Sequence, residues 1–192
     1  MMRLFSVAVL IGLATSPLSA QQASPSGAPV ADAVRTIMQR LSKNLVAAGD
    51  DMPVSKLGYR PTPAQLSFGG VLVHSAEFNE TVCSWVSGTK PPMEPKPGPN
   101  DTTDAGWATY GPKASAHLKH SFEYCGTVLA NIDDSKLDEQ VPWYGGPNAK
   151  TSRARALIVL PMDWQDHYAQ LSMYLRMNGI LPPTARPKPK TP

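Results

Sequence analysis

The sequence predicts an all-α fold, a four-helix bundle with long crossover connections. Two observations carry this expectation. Apolar residues recur at three- and four-residue spacing in four separate stretches, the period of one helical face. The segments between them are rich in Pro, Gly and polar residues and too long to force antiparallel neighbours. A chain of 192 residues suits one such domain with terminal extensions.

The extensions come first. Arg3 supplies a positive charge, Leu4 to Leu13 form a short apolar run, and Leu18-Ser19-Ala20 ends in a small residue suited to cleavage. This is the pattern of an export signal over residues 1–20. The run is too short to span a bilayer, and no later segment is apolar enough to do so. Gln21, rather than a cysteine, follows the expected cut, so no lipid attachment is indicated. The expectation is a soluble exported protein, periplasmic or secreted. Residues 21–29 read as a flexible lead-in, 30–183 as the bundle and 184–192 as a disordered Pro/Lys tail.

Helix one is written by Val30, Val34, Ile37, Met38, Leu41 and Leu45, and ends near Gly49. The second helix is expected to start at Thr62-Pro63, with Gln65 completing a capping box, and to run to Gly88. Leu66, Gly70, Val73, His74, Phe78, Thr81 and Trp85 form its stripe. Gly69 and Gly70 each weaken a helix by roughly 1 kcal/mol relative to Ala, which close approach of another backbone would offset. Gly88 to Pro112 reads as a crossover loop anchored by Trp107 and Tyr110.

Helix three is expected from Lys113 to Asn131, with Ala114, Leu118, Phe122, Cys125 and Leu129 inward. Asp133 to Pro147 breaks helical order, and Trp143-Tyr144-Gly145-Gly146 reads as a turn. Helix four follows Thr151 or Ser152 as cap, points Leu157, Leu160, Asp163, Trp164, His167, Leu171, Tyr174 and Leu175 inward, and stops at Gly179. Pro161 removes a backbone donor, so a kink or a fresh start is expected there. Pro182-Pro183 and the Pro/Lys run beyond favour extended polyproline geometry.

Charge excludes one class of partner. The formal charge is +3, but Arg3 in the leader and Arg186, Lys188 and Lys190 in the tail hold four positive charges, so residues 21–185 carry about −1. Nucleic-acid binders gather basic residues on a folded face, and this body has no such surplus. Neither a Gly-x-Ser-x-Gly elbow nor a Gly-rich phosphate loop occurs.

The chemistry rests on three residues. Asp163 and His167 stand four apart and share a helical face, and His74 lies in the stripe of another helix. Such a set can hold a divalent cation. A lone helical histidine is more often a packing residue, and an exposed Asp/His pair is often only an ion pair stabilising by about 0.3–0.5 kcal/mol. Leu160, Leu171 and Tyr174 flank the pair on the same side, which argues for an inward position, where an isolated carboxylate is strongly disfavoured unless a cation joins it. Glu77, Gln170 and Tyr174 read as neighbouring surface or packing residues, and His117 and His120 as solvated. Cys83 and Cys125 could pair in an oxidising compartment. Helical spacing, however, sets Cys83 about half a turn from the His74 face while Cys125 faces inward, so the sequence leaves the bond open.

Tyr59-Arg60-Pro61-Thr62-Pro63, Leu72-Val73-His74-Ser75-Ala76, Ser121-Phe122-Glu123-Tyr124-Cys125 and the run from His167 through Tyr174 to Ile180 together resemble the DinB/YfiT-like metalloenzymes. The resemblance implies a four-helix bundle, often a homodimer, with a divalent metal held by one histidine on helix two and a His-x-x-x-His pair on helix four. His74 and His167 match those positions, whereas Asp163 stands where the family has its other histidine. Two histidines and one carboxylate suit iron or zinc, and nickel and manganese are the other candidates. Two functions follow as expectations. One is a metal-dependent hydrolase or thiol transferase acting on a small molecule. The other is a non-catalytic bundle that binds a small ligand or pairs with itself, with a decayed metal site.

Overall fold

The computed structural model describes residues 27–91 and 104–187, so the leader, most of the lead-in and the end of the tail lie outside the described residues. Four helices form the body: α1 (Pro29–Asp51), α2 (Phe68–Ser87), α3 (Asp104–Ala130) and α4 (Arg153–Met177). α1 packs against α4 and α3, and α2 against α3 and α4, which sets α1 diagonally across from α2. The predicted all-α bundle is thus the observed fold. A small antiparallel hairpin, β1 (Gln140–Pro142) and β2 (Lys150–Ser152), is added between α3 and α4, with Val141 opposite Thr151.

The core follows the predicted stripes on α1, α3 and α4, whereas α2 buries Phe68, Val71, Leu72, Ala76, Val82, Cys83 and Val86 and leaves Leu66, His74, Phe78, Thr81 and Trp85 of the stripe read for it exposed or half-buried. Leu45, Leu72, Leu118, Leu157, Leu160, Trp164, Leu171 and Leu175 are fully buried. Each such side chain contributes about 1.5–3 kcal/mol of burial. Inside this apolar mass the Asn79 side chain accepts a hydrogen bond from Trp164 Nε1 (2.6 Å) and donates to Ser121 Oγ (3.0 Å), joining α2, α3 and α4.

Helix ends depart from the sequence reading for identifiable reasons. α2 begins at Ser67, not at Thr62-Pro63, because the Ser67 hydroxyl accepts from Gly70 N–H. Thr62 and Gln65 instead close a turn of their own. Phe68 N–H donates to Tyr59 O and Gly69 N–H to Leu57 O, both at 2.8 Å, so another backbone does approach the glycine pair. α3 begins at Asp104, well before Lys113, and absorbs Gly111 and Pro112, which look like a break in sequence. A Cβ at Gly111 would stand 2.6 Å from Leu57 Cδ1, so glycine there admits the Leu57 side chain. Tyr110 is buried on this early turn; the anchoring role read for Trp107 lies outside the described side chains.

α4 runs unbroken through Pro161, against the expected fresh start. An interior proline costs about 3 kcal/mol, and the fully buried Leu157, Leu160 and Trp164 on either side offset it. α1 has no side-chain cap of its own, yet Asp134 accepts from Val30 N–H (2.8 Å) and Ala31 N–H (3.0 Å). Arg35 returns the service by donating to the carbonyl of Leu129 in the last turn of α3 and to that of Ile132 just beyond it. The start of the segment read as an extended tail forms a 3-10 turn at Pro183–Ala185, where Tyr168 Oη donates to Thr184 Oγ1 (2.9 Å).

The pairing that the sequence leaves open is made. Cys83 and Cys125 form a disulfide between α2 and α3, with Cα atoms 5.5 Å apart. Both are fully buried. The half-turn offset of Cys83 from His74 directs it at α3, because α2 buries more than one face.

Candidate metal centre

α2 and α4 are neighbours in the bundle, and their contact brings His74, Asp163 and His167 together. Each offers a donor atom, and the three donors lie within 4.8 Å of one another. Asp163 Oδ1 is 3.3 Å from His167 Nε2, as the i,i+4 spacing requires, and 4.0 Å from His74 Nε2. The two imidazoles meet edge to face with centroids 4.7 Å apart. Exposure is graded: the His74 side chain is 48 % exposed, while Asp163 and His167 are 15 % and 11 % exposed.

The buried side of the cluster is polarised. Burial lowers the His167 pKa, but the Asp163 hydrogen bond and charge outweigh it and hold the imidazole above its usual range. Burial, then the neighbouring His167, holds His74 below its usual range. Gln170 Oε1 faces His167 Nδ1 at 3.4 Å, and its amide donates to Tyr174 Oη (2.9 Å), which in turn donates to Leu66 O (3.0 Å). This chain favours a proton on Nδ1 and leaves Nε2 directed at the cluster, the orientation a ligating histidine needs. Sequence reasoning placed Gln170 and Tyr174 nearby but saw only packing in them.

The residues fit a cation on an independent observation. Asp163 Oδ2 is buried and has no hydrogen-bond partner among the described residues. A buried carboxylate oxygen left unpaired costs several kcal/mol at most sites, and a divalent ion would satisfy it. Two imidazoles and one carboxylate form a donor set that zinc and iron accept.

One neighbour had no sequence signal. Tyr144, at the tip of the β1–β2 hairpin, lies with its ring nearly parallel to Phe78 (10°, centroids 6.3 Å apart), and Phe78 lies nearly parallel to His74 (25°, 6.5 Å). Gly145 and Gly146 at φ +119° and +129° make the turn that sets it there. Burial and then the Asp163 charge raise the Tyr144 phenol pKa, partly offset by Thr81.

His117, read as solvated, is instead 2 % exposed. Its Nε2 is 2.7 Å from Glu80 Oε1 and its Nδ1 is 2.8 Å from Tyr110 Oη. Its place beside the α3 stripe put it under α2 once the helices packed. His120 is exposed, as read.

No curated protein matches the chain. The family model of the DinB superfamily matches residues 37–171, a span holding all three donors and most of each helix, and the chain belongs to that superfamily.

Proposed function

We propose that this DinB-superfamily protein holds a divalent transition metal through His74, Asp163 and His167 and uses it as a hydrolase or thiol transferase on a small molecule. The convergence of three donors around a buried, unpartnered Asp163 oxygen carries this reading. Zinc, nickel, iron and manganese are the candidates, and the bound ion would supply Lewis acidity toward a water, thiol or carbonyl. His167 is oriented for this by Gln170, and His74, on the exposed side, leaves an approach from solvent. Protein purified without chelator should carry about one metal per chain, and metal at a hundred times its Kd should stabilise the fold by roughly 2.7 kcal/mol. His167→Ala should abolish uptake with helix content intact. Metal-free protein whose melting is unmoved by all four ions would sink the reading.

A second reading, a non-catalytic ligand-binding or self-associating bundle, draws on the 4.0 Å gap and half-exposure of His74, which leave that residue loosely engaged. The same metal titration separates the two. Export to the periplasm or beyond belongs to either reading. It is supported by the leader pattern over residues 1–20 and by a disulfide suited to an oxidising compartment. Homodimer formation is supported by exposed Ile158 and Met162 beside Ile37 of α1. An intact mass beginning at Gln21 and a light-scattering mass of twice the chain are the expected results.

A further inference from the structure

The donor cluster does not end in open surface on its α2 side. His74, Phe78 and Trp85 follow one another along α2, and the hairpin lays Trp143 and Tyr144 against them. Tyr144 meets Trp85 edge to face at 4.8 Å and Trp143 at 5.4 Å, and Trp85 and Trp143 stand 5.8 Å apart. The rings are not core: Tyr144 is 51 % exposed, and Phe78, Trp85 and Trp143 are only half-buried. A run of four part-exposed rings that starts at Phe78 against His74 and extends along α2 to Trp85 has the composition of a ligand site, an apolar wall leading to a few convergent polar groups.

The wall is also built rather than incidental. Its outer half rides on a hairpin whose register is fixed by Val141 opposite Thr151 and by Trp143 N–H donating to Ala149 O at 2.9 Å. Val141 is buried, so the strand that carries Trp143 and Tyr144 is pinned to the bundle. Trp143 is held further by the Arg155 guanidinium 5.5 Å from its ring. Glu77 acts electrostatically on both His74 and Tyr144, so a carboxylate borders the path from His74 through Phe78 to Tyr144 and an anionic occupant is disfavoured on this side.

We propose that Phe78 and Tyr144, backed by Trp85 and Trp143, are the specificity wall of the His74/Asp163/His167 centre. They select a small molecule whose planar, non-anionic aromatic group lies against the wall while its polar end reaches the donors. Resting on the function proposed above, this assigns the substrate class. A chain of edge and face contacts among rings favours a flat aromatic surface over an aliphatic one of equal area.

Two measurements keep the wall and the metal reading separable. In zinc-supplemented protein, calorimetric titration should show benzohydroxamate binding about tenfold more tightly than cyclohexanecarbohydroxamate, and Phe78→Leu with Tyr144→Leu should bring the ratio close to one. Equal affinities in the zinc-bound wild type overturn the wall alone. In metal-free protein, benzyl alcohol should shift the indole N–H signals of Trp85 and Trp143 and the Tyr144 amide. The double leucine variant, which removes both rings while keeping the positions apolar, should lose those shifts. Shifts that are absent, or scattered over the bundle, overturn the wall whether or not zinc binds, whereas failure of zinc binding with these shifts intact overturns only the metal reading.

Discussion

Two histidine clusters lie on different faces of α2, one toward α4 and one toward α3, and they are finished differently. His117 sits between Glu80 and Tyr110 with both ring nitrogens engaged, and its side chain is 1 % exposed. The His74/Asp163/His167 cluster is open on one side and holds a buried carboxylate oxygen with no hydrogen-bond partner among the described residues. Polar groups serve both sites, but only the first is complete within the protein. Completeness marks a structural stitch between α2 and α3; incompleteness marks a place where a ligand finishes the bonding.

The largest test of this contrast removes the stitch. His117→Ala leaves Glu80 buried without its imidazole, and should lower unfolding free energy by about 3 kcal/mol in urea titrations. The folded variant should still take up zinc. Loss of zinc binding with the fold intact would merge the two clusters into one functional unit and dissolve the comparison.

A similar effect is expected from the covalent half of the same seam. Cys83 and Cys125 close a loop of sequence separation 42. Replacing both with alanine should cost about 2–4 kcal/mol, measured by thermal unfolding. A loss far below 1 kcal/mol would show that α2 and α3 are held by packing and by polar contacts such as Glu80–His117 and Asn79–Ser121 without need of the covalent link.

At the open cluster, stability should move less and metal affinity more. Asp163→His replaces the shorter acid with the residue the family resemblance expects there. It should tighten zinc binding by about tenfold or more, near 1.4 kcal/mol, because imidazole is a strong zinc donor. Unchanged or weaker binding would show that position 163 does not supply a ligand.

The smallest effect is read in protonation. In metal-free protein the pKa of His74 should fall below 6.5 and that of His167 above it, resolved by proton NMR. For His167, the raised folded value means a stabilisation present below pH 6.5 and lost as pH rises through that folded value. For His74 the sign reverses: its lowered folded value gives stability above pH 6.5 that is lost as pH falls toward it. Zinc should flatten both titrations, since the metal competes with the proton on each ring.

What was legible in the sequence is unequal along the chain. Asp163 and His167 were found together because four residues on a helix guarantee one face. His74 was reachable as a histidine in an apolar stripe. Tyr144 gave no signal, since its place depends on a three-residue strand pair whose neighbours are set by the bundle. His117 misled for a related reason: a stripe drawn on an isolated helix has a border, and packing against α2 moved that border past His117.

By itself, then, the sequence determined what local periodicity and covalent chemistry can determine. It specified four amphipathic helices, an acid-imidazole pair on one helical face, and two cysteines capable of pairing. The tertiary structure decided which helix faces which, and with that the joining of His74 to the pair, the pairing of Cys83 with Cys125, the burial of His117 on Glu80, and the start of α2 at Ser67 rather than Thr62. Each of these depends on atoms distant in the chain that only packing brings within a few ångströms, and no repeat of 3.6 residues carries that information.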